Sequence, residues 1–386
     1  MVPDASHDMS TLTAALEVLQ SGDFHARWDA AKALAGFGEQ AIAPLAQLLQ
    51  SPDSDVELQW VAARALGDFQ HPDALMALAT SLCTTEDDEI SEIAAETLGS
   101  MGAAAIPILE DYLQSHQTTL PAIQALAHIR DAKTIPLLLQ AAQQERAEIR
   151  AAAMEALSAF HRPQVVPALI QGLSDLSPQV RQIAVMGLGY RPQEPLDWMT
   201  LVQPLLHDDS LQVSQQTALT LGRLGLTQPL LNHLKTDCSV ALKRTVIQAL
   251  GRVGNRQALQ HLRQAFQLAA ASESWDLARG VIDEIATLQT QQPLATQMLL
   301  EILEQPQPMM ILNAIATALG QLRQPEAMEA LIQLLAQPDL GVRLHAIAAL
   351  KQLQNCNVHQ HLQTLANNPE VTAELTTGVT LALQEW

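Results

Sequence analysis

Seven basic side chains crowd together in a chain that is otherwise acidic. Arg223, Lys235, Lys243, Arg244, Arg252, Arg256 and Arg263 fall within about 40 residues that hold one acid, Asp237. The whole chain has 386 residues and a formal net charge of −20. Such a band offers guanidinium forks to an acidic protein face or to the carboxylates of a ligand, since one fork holds both oxygens of a carboxylate. The same cations equally suit ion pairs with acids of adjoining segments. Tyr190 and Trp198 form a second candidate. They bound the run Tyr190-Arg191-Pro192-Gln193-Glu194-Pro195-Leu196-Asp197-Trp198 in a chain with 3% aromatic residues. Amphipathic aromatics anchor interfaces, and loops on rigid scaffolds carry function; Trp198 equally suits filling a widened gap in a helix stack. The candidate partner- or ligand-binding residues are therefore Arg223, Lys243, Arg244, Arg252, Arg256, Arg263, Tyr190 and Trp198. A third feature is Thr84–Glu92, TTEDDEISE, in which five of nine residues are acidic. It reads as a helix start favoured by the dipole or as a docking patch for a basic partner.

Catalysis needs a nucleophile, a base and an orienting group in one place. Cys83, Cys238 and Cys356 are far apart and carry no local signature. Cys356, His359 and His361 make one Cys/His cluster, short of the four ligands of a structural zinc site. The sequence holds no Walker A run, no G-x-S-x-G and no dinucleotide fingerprint. Binding without catalysis, metal or cofactor is the expectation. The first 100 residues carry 17 acids against 3 bases, which argues against nucleic acid, whose phosphates need clustered cations. No run of 18 apolar residues marks a membrane span. Residues 1–10 read as a disordered acidic tail without a signal-peptide core. Three scattered cysteines fit a reducing, cytoplasmic setting.

The elements that must position these groups repeat. In Asp175–Gly189, DLSPQVRQIAVMGLG, Val180, Ile183, Ala184, Gly187 and Leu188 recur at helical spacing on one face. Asp175 and Ser177 read as N-caps and Pro178 as a first-turn residue. One apolar position can be followed as Leu34, Leu66, Leu98, Leu126, Leu157, Leu188, Leu221, Leu250, Ile285, Leu319 and Leu350, at steps of about 32 residues. Six of these are followed by Gly, as a crowded helix end would require, and Gly102, Gly225 and Gly254 suit a left-handed position past a helix. Pro44, Pro107, Pro136, Pro167, Pro204 and Pro229 mark the starts of second helices. A lone helix pair cannot bury both apolar stripes, so stacking must. The expected fold is all-α: an α-solenoid (superhelix) of about eleven stacked two-helix repeats. It runs continuously over 11–365, is irregular near 190–200 and 268–281, and ends in a partial capping repeat at 366–386 that Trp386 helps to cover.

The pattern Asp-x-x-Val-Arg-x-x-Ala-x-x-Ala-Leu-Gly resembles HEAT repeats, specifically the short kind named after phycobilisome lyases. Ser177–Gly189, Pro338–Leu350 and Ala147–Leu157 carry it best. Val56-Glu57 and Val213-Ser214 lack the Arg, so a ladder of Arg–Asp contacts is expected to be interrupted. The resemblance implies a non-enzymatic protein-interaction scaffold or assembly factor, with a phycobiliprotein or assembly intermediate as partner. Its alternative implication is a lyase or chaperone that attaches bilin to phycobiliprotein cysteines. In that case Arg244, Arg252 and Arg256 would receive the propionates, and bilin would be the ligand.

Overall fold

A computed structural model describes residues 11–85, 87–115, 120–353 and 357–386. The expected tail at 1–10, Glu86 of the acidic run, and Cys356 lie outside them, as does the side chain of Cys83. The described residues form helices and connecting turns with no strand. Packing divides them into two compact units, and the chain passes from the first to the second between Arg191 and Pro192. Where the sequence reading runs one continuous solenoid over 11–365, this division falls inside the stretch read as irregular at 190–200.

The first unit holds α1 (Leu12–Ser21), α2 (Phe24–Ala35), α3 (Ile42–Gln50), α4 (Val56–Leu66), α5 (Pro72–Thr84), α6 (Asp88–Ser100), α7 (Ile106–Ser115), α8 (Leu120–Ile129), α9 (Ile135–Ala141), α10 (Ala147–Ala159), α11 (Val166–Gly172) and α12 (Pro178–Gly189). The second holds α13 (Trp198–Leu201), α14 (Leu211–Arg223), α15 (Thr227–Leu234), α16 (Val240–Val253), α17 (Arg256–Ala271), α18 (Trp275–Ala286), α19 (Gln292–Leu303), α20 (Met309–Leu322), α21 (Met328–Leu334), α22 (Leu340–Gln352), α23 (Val358–Ala366) and α24 (Ala373–Glu385). Even-numbered helices carry the recurrent apolar position and pack on the next even-numbered helix of their unit, as α6 does on α8 and α20 on α22.

All eleven tracked positions, from Leu34 to Leu350, are fully buried, at 0% exposure. Each such burial contributes roughly 1.5–3 kcal/mol, and it needs a neighbouring repeat to exist at all. The Leu-Gly pairs have a steric cause. A Cβ on Gly222 would lie 2.8 Å from the Ala249 carbonyl oxygen, and one on Gly320 would lie 2.8 Å from Ala349 Cα. The next even-numbered helix therefore sits against bare backbone. Gly102, Gly225 and Gly254 have φ of 68°, 74° and 64°, the left-handed conformation that ends a helix without a Cβ clash.

Side chains at the helix starts tie repeats together. Arg27 of α2 is buried and grips both carboxylate oxygens of Asp55 at 2.8 Å, with Glu57 at 2.9 Å. Asp55 in turn caps α4 through the Leu58 N–H. Arg150 of α10 holds Asp175 the same way, at 2.8 and 2.7 Å. These hydrogen bonds hold Asp55 and Asp175 below the usual carboxylate range. Asp175 also accepts the Ser177 N–H, whereas Ser177, at the N-cap of α12, makes no side-chain capping bond. Where the Arg is missing at Val213-Ser214, the buried Ser214 hydroxyl donates to the Asp208 carbonyl at 3.0 Å, so the chain ties its own loop instead.

The sixth repeat departs most. Pro204 marks no full second helix. The single turn of α13 and a 3₁₀ stretch over Gln203–His207 stand in its place. At the stretch read as irregular near 268–281, the 16-residue α17 ends and Trp275 opens α18. At the other end α24 packs on α23 and α22, and Trp386 stacks on His359 with ring centroids 5.8 Å apart while staying half-exposed.

Candidate binding surface

The candidate cations of the basic band are carried by three helices of the second unit. Lys243, Arg244 and Arg252 belong to α16, Arg223 ends α14, and Arg256 and Arg263 lie on α17. Three of them, Arg244, Arg256 and Arg263, line two different clefts. Arg244 lines an open cleft of about 420 Å³ between α16 and α18, together with Arg279, Gln248, Asp276, Asp283 and Glu284. Two guanidinium groups there face three carboxylates. Burial pushes the Glu284 carboxyl above its ordinary range, Arg252 pulls it back down, and Asp283 adds to the rise. The Glu284 side chain lies directly over Gly251, where a Cβ would meet its Oε2 at 2.4 Å.

Arg256 and Arg263 line a second cleft of about 220 Å³ between α17 and α19, with Gln260, Gln297 and Glu301. Arg263 Nη2 is ion-paired with Glu301 at 2.6 Å. The pairing of cations with acids of an adjoining repeat thus holds for Arg263, while among the described residues no ion pair is made by Arg244, Arg252 or Arg256. Tyr190 is half-exposed just past α12 in the first unit, and the half-buried Trp198 opens α13 in the second.

The residue that sequence reasoning missed stands between them. Arg191 is 4% exposed, and its guanidinium donates to the carbonyls of Leu157 at 3.3 Å, Ser158 at 3.0 Å, Phe160 at 2.6 Å and Gly187. It closes the C-terminal ends of α10 and α12. The sequence marks only its place, directly after Leu-Gly-Tyr at a helix end, where carbonyls lack partners.

The acidic run divides as well. Asp87 caps α6 by accepting the Glu89 and Ile90 N–H groups at 2.9 and 3.2 Å. Asp88 and Glu92 line a cleft of about 330 Å³ beside Gln124 and His128 of α8. Among the described residues, no group of three His, Cys, Asp or Glu side chains is placed to hold a metal ion. Trp28 and Trp60 meet with centroids 6.1 Å apart, and Lys32 Nζ lies over the Trp28 ring at 5.5 Å.

Two buried histidines give the second unit a pH dependence. His233 on α15 is 3% exposed, neither ring nitrogen has a hydrogen-bond partner, and its ring meets His207 at 4.7 Å. Burial lowers its pKa, and His207 and Lys243 lower it further. His261 on α17 is lowered by burial and by Lys235, against a backbone hydrogen bond to Thr227. A depressed histidine contributes stability that is present above the unfolded value of about 6.5 and lost as pH falls through the folded one. The melting temperature is therefore expected to drop between pH 7.5 and 5.5. His233→Leu is expected to flatten that slope in a thermal melt series; an unchanged slope would clear this ring of the effect.

Comparison with known families decides what this geometry belongs to. The HEAT-repeat description matches residues 42–120, 117–175, 166–229, 227–316, 265–351 and 296–383. The chain belongs to the HEAT-repeat family. One stretch of this HEAT chain, residues 26–51, also matches the PBS lyase HEAT-like repeat. Among solved structures it is similar to Kap95p in complex with RanGDP, with a TM-score of 0.65 at 13% identity over 96% of this chain and 60% of that one. It is similar to importin beta with a TM-score of 0.52 at 15% identity, over 96% of this chain and 62% of that one. This HEAT chain thus spans about three-fifths of the length of those two, and at such identities the likeness is one of fold. The complex of CpcE and CpcF of phycocyanin lyase from Nostoc sp. PCC7120 matches at 20% identity over 65% of this chain and 96% of that one. Its TM-score of 0.28 is too low to support any shared arrangement. No curated protein matches the sequence.

Proposed function

We propose that this HEAT-repeat chain is a non-enzymatic protein-binding scaffold that acts in assembly. The observation that carries the reading is the pair of open clefts between helices of neighbouring repeats in the second unit, with Arg244 and Arg256 in their walls and without ion pairs among the described residues. Stacked repeats offer such surfaces to folded or extended proteins. Charged walls on a surface of mixed sign give orientation and on-rate to association. The contact residues proposed are Arg223, Lys243, Arg244, Arg252, Arg256 and Arg263, with Tyr190 and Trp198 as aromatic anchors.

A stoichiometric partner is expected to be retained by the immobilised full chain and released as salt rises. Converting Arg244 and Arg252 to Glu is expected to abolish retention. Retention equal to wild type would remove the basic residues from the interface.

The match of residues 26–51 to the PBS lyase repeat type favours phycobilisome assembly as the setting and a phycobiliprotein as the partner. It also supports a second reading, a bilin lyase or chromophore chaperone, in which the reacting thiol belongs to the phycobiliprotein. Asp276, Asp283 and Glu284 share the Arg244 cleft and would repel bilin propionates, so the scaffold reading stands first. Co-expression with an apo-phycobiliprotein and a bilin separates the two: a covalently labelled band on a denaturing gel would favour the lyase.

A further inference from the structure

The clefts on the odd-numbered helices of the second unit join. The cleft holding Arg256 and Arg263 shares Arg263 and Glu301 with a second of about 600 Å³, which is lined further along by Phe266, Gln267 and Gln305. That second cleft shares Glu304, Gln305 and Gln307 with a third of about 560 Å³ against α21, floored by Leu300, Leu303 and Leu334. Together they make one trough, running down the groove between α17 and α19 and across the end of α19 to α21.

The trough has a charge order. Arg256, exposed at its upper end, makes no ion pair among the described residues. Arg263 and Glu301 neutralise each other in the middle. Glu304, exposed near the lower end, again makes no ion pair among the described residues. Between and beyond the charges, the side-chain amides of Gln260, Gln267, Gln305 and Gln337 make no hydrogen bond among the described residues. A primary amide carries both donors and an acceptor, so such a row can pair with the N–H and C=O groups of a chain that has no internal partners for them.

We propose that this trough binds an extended, zwitterionic peptide segment of a partner protein, with an acidic side chain at Arg256 and a basic one at Glu304. The proposal rests on the protein-binding reading and adds the form and charge order of what is bound. From Arg256 to Gln267, beside Glu304, is eleven residues of helix, about 16 Å at 1.5 Å per residue. An extended chain covers that in about five residues. The acid and the base should therefore stand about five positions apart, followed by an apolar residue over Leu303 and Leu334. A uniformly acidic ligand fits poorly, because it would meet Glu304.

The test is selection of random twelve-residue peptides on the immobilised full chain. The expected consensus is an acid and a base about five residues apart in one fixed order. Arg256→Glu and Glu304→Lys are each expected to weaken the selected peptide about tenfold. The double variant is expected to prefer the peptide with its two charges exchanged. A consensus of acids alone, enrichment of segments of this chain's own sequence, or affinity indifferent to both variants would overturn the proposal. If no peptide is enriched while a folded partner is still retained, the trough fails and the scaffold reading survives. If neither is retained, both fail.

Discussion

Replacing Leu188 by Asp is expected to cost more than about 4 kcal/mol and to unfold the repeats around it. Leu188 is fully buried in α12, which packs on α10 and α11. The change removes a burial worth roughly 1.5–3 kcal/mol and places a carboxylate where no side chain answers it, a mechanism at the severe end of single substitutions. In a stacked array the damage spreads, because each repeat is ordered by its neighbours. Circular dichroism should show lost helix or a much lower melting temperature. Hydrogen exchange should show protection lost first across α10 to α12. A melt superimposable on wild type would contradict the account of the core.

Arg191→Leu is expected to cost about 3–5 kcal/mol, although the residue reads as part of an exposed loop. Its guanidinium is the partner of the carbonyls of Leu157, Ser158, Phe160 and Gly187. Leucine fills much of the volume and satisfies none of them. A buried acceptor left unpaired costs roughly 1–3 kcal/mol, and the cation at two helix C-termini also opposes the dipole charge there. Arg191→Lys keeps the charge but not the planar fork, so it should recover part of the loss and no more. The urea midpoints of the three proteins, compared at equal slope, give the order wild type, Lys, Leu. A Leu variant within 1 kcal/mol of wild type would mean that water replaces the guanidinium.

The repeat, its period and its buried positions were legible in the sequence, because neighbouring repeats pack on one another through residues at fixed spacing. Leu34 through Leu350, the Gly that follows six of them and the left-handed Gly102, Gly225 and Gly254 are written as a pattern that recurs because each helix pair ends and packs in the same way. The acidic N-terminal excess was equally plain. What only the tertiary structure decided is which charges meet. Arg263 finds Glu301 38 residues away, Arg150 finds Asp175, and Arg244 shares its cleft with Asp276, Asp283 and Glu284. Those encounters depend on the rotation of one helix against the next and on which face each side chain leaves. A seven-cation run in the sequence says nothing of either. The burial of Arg191 was hidden for the same reason: its partners are carbonyls of two helices, and carbonyls leave no mark on residue type.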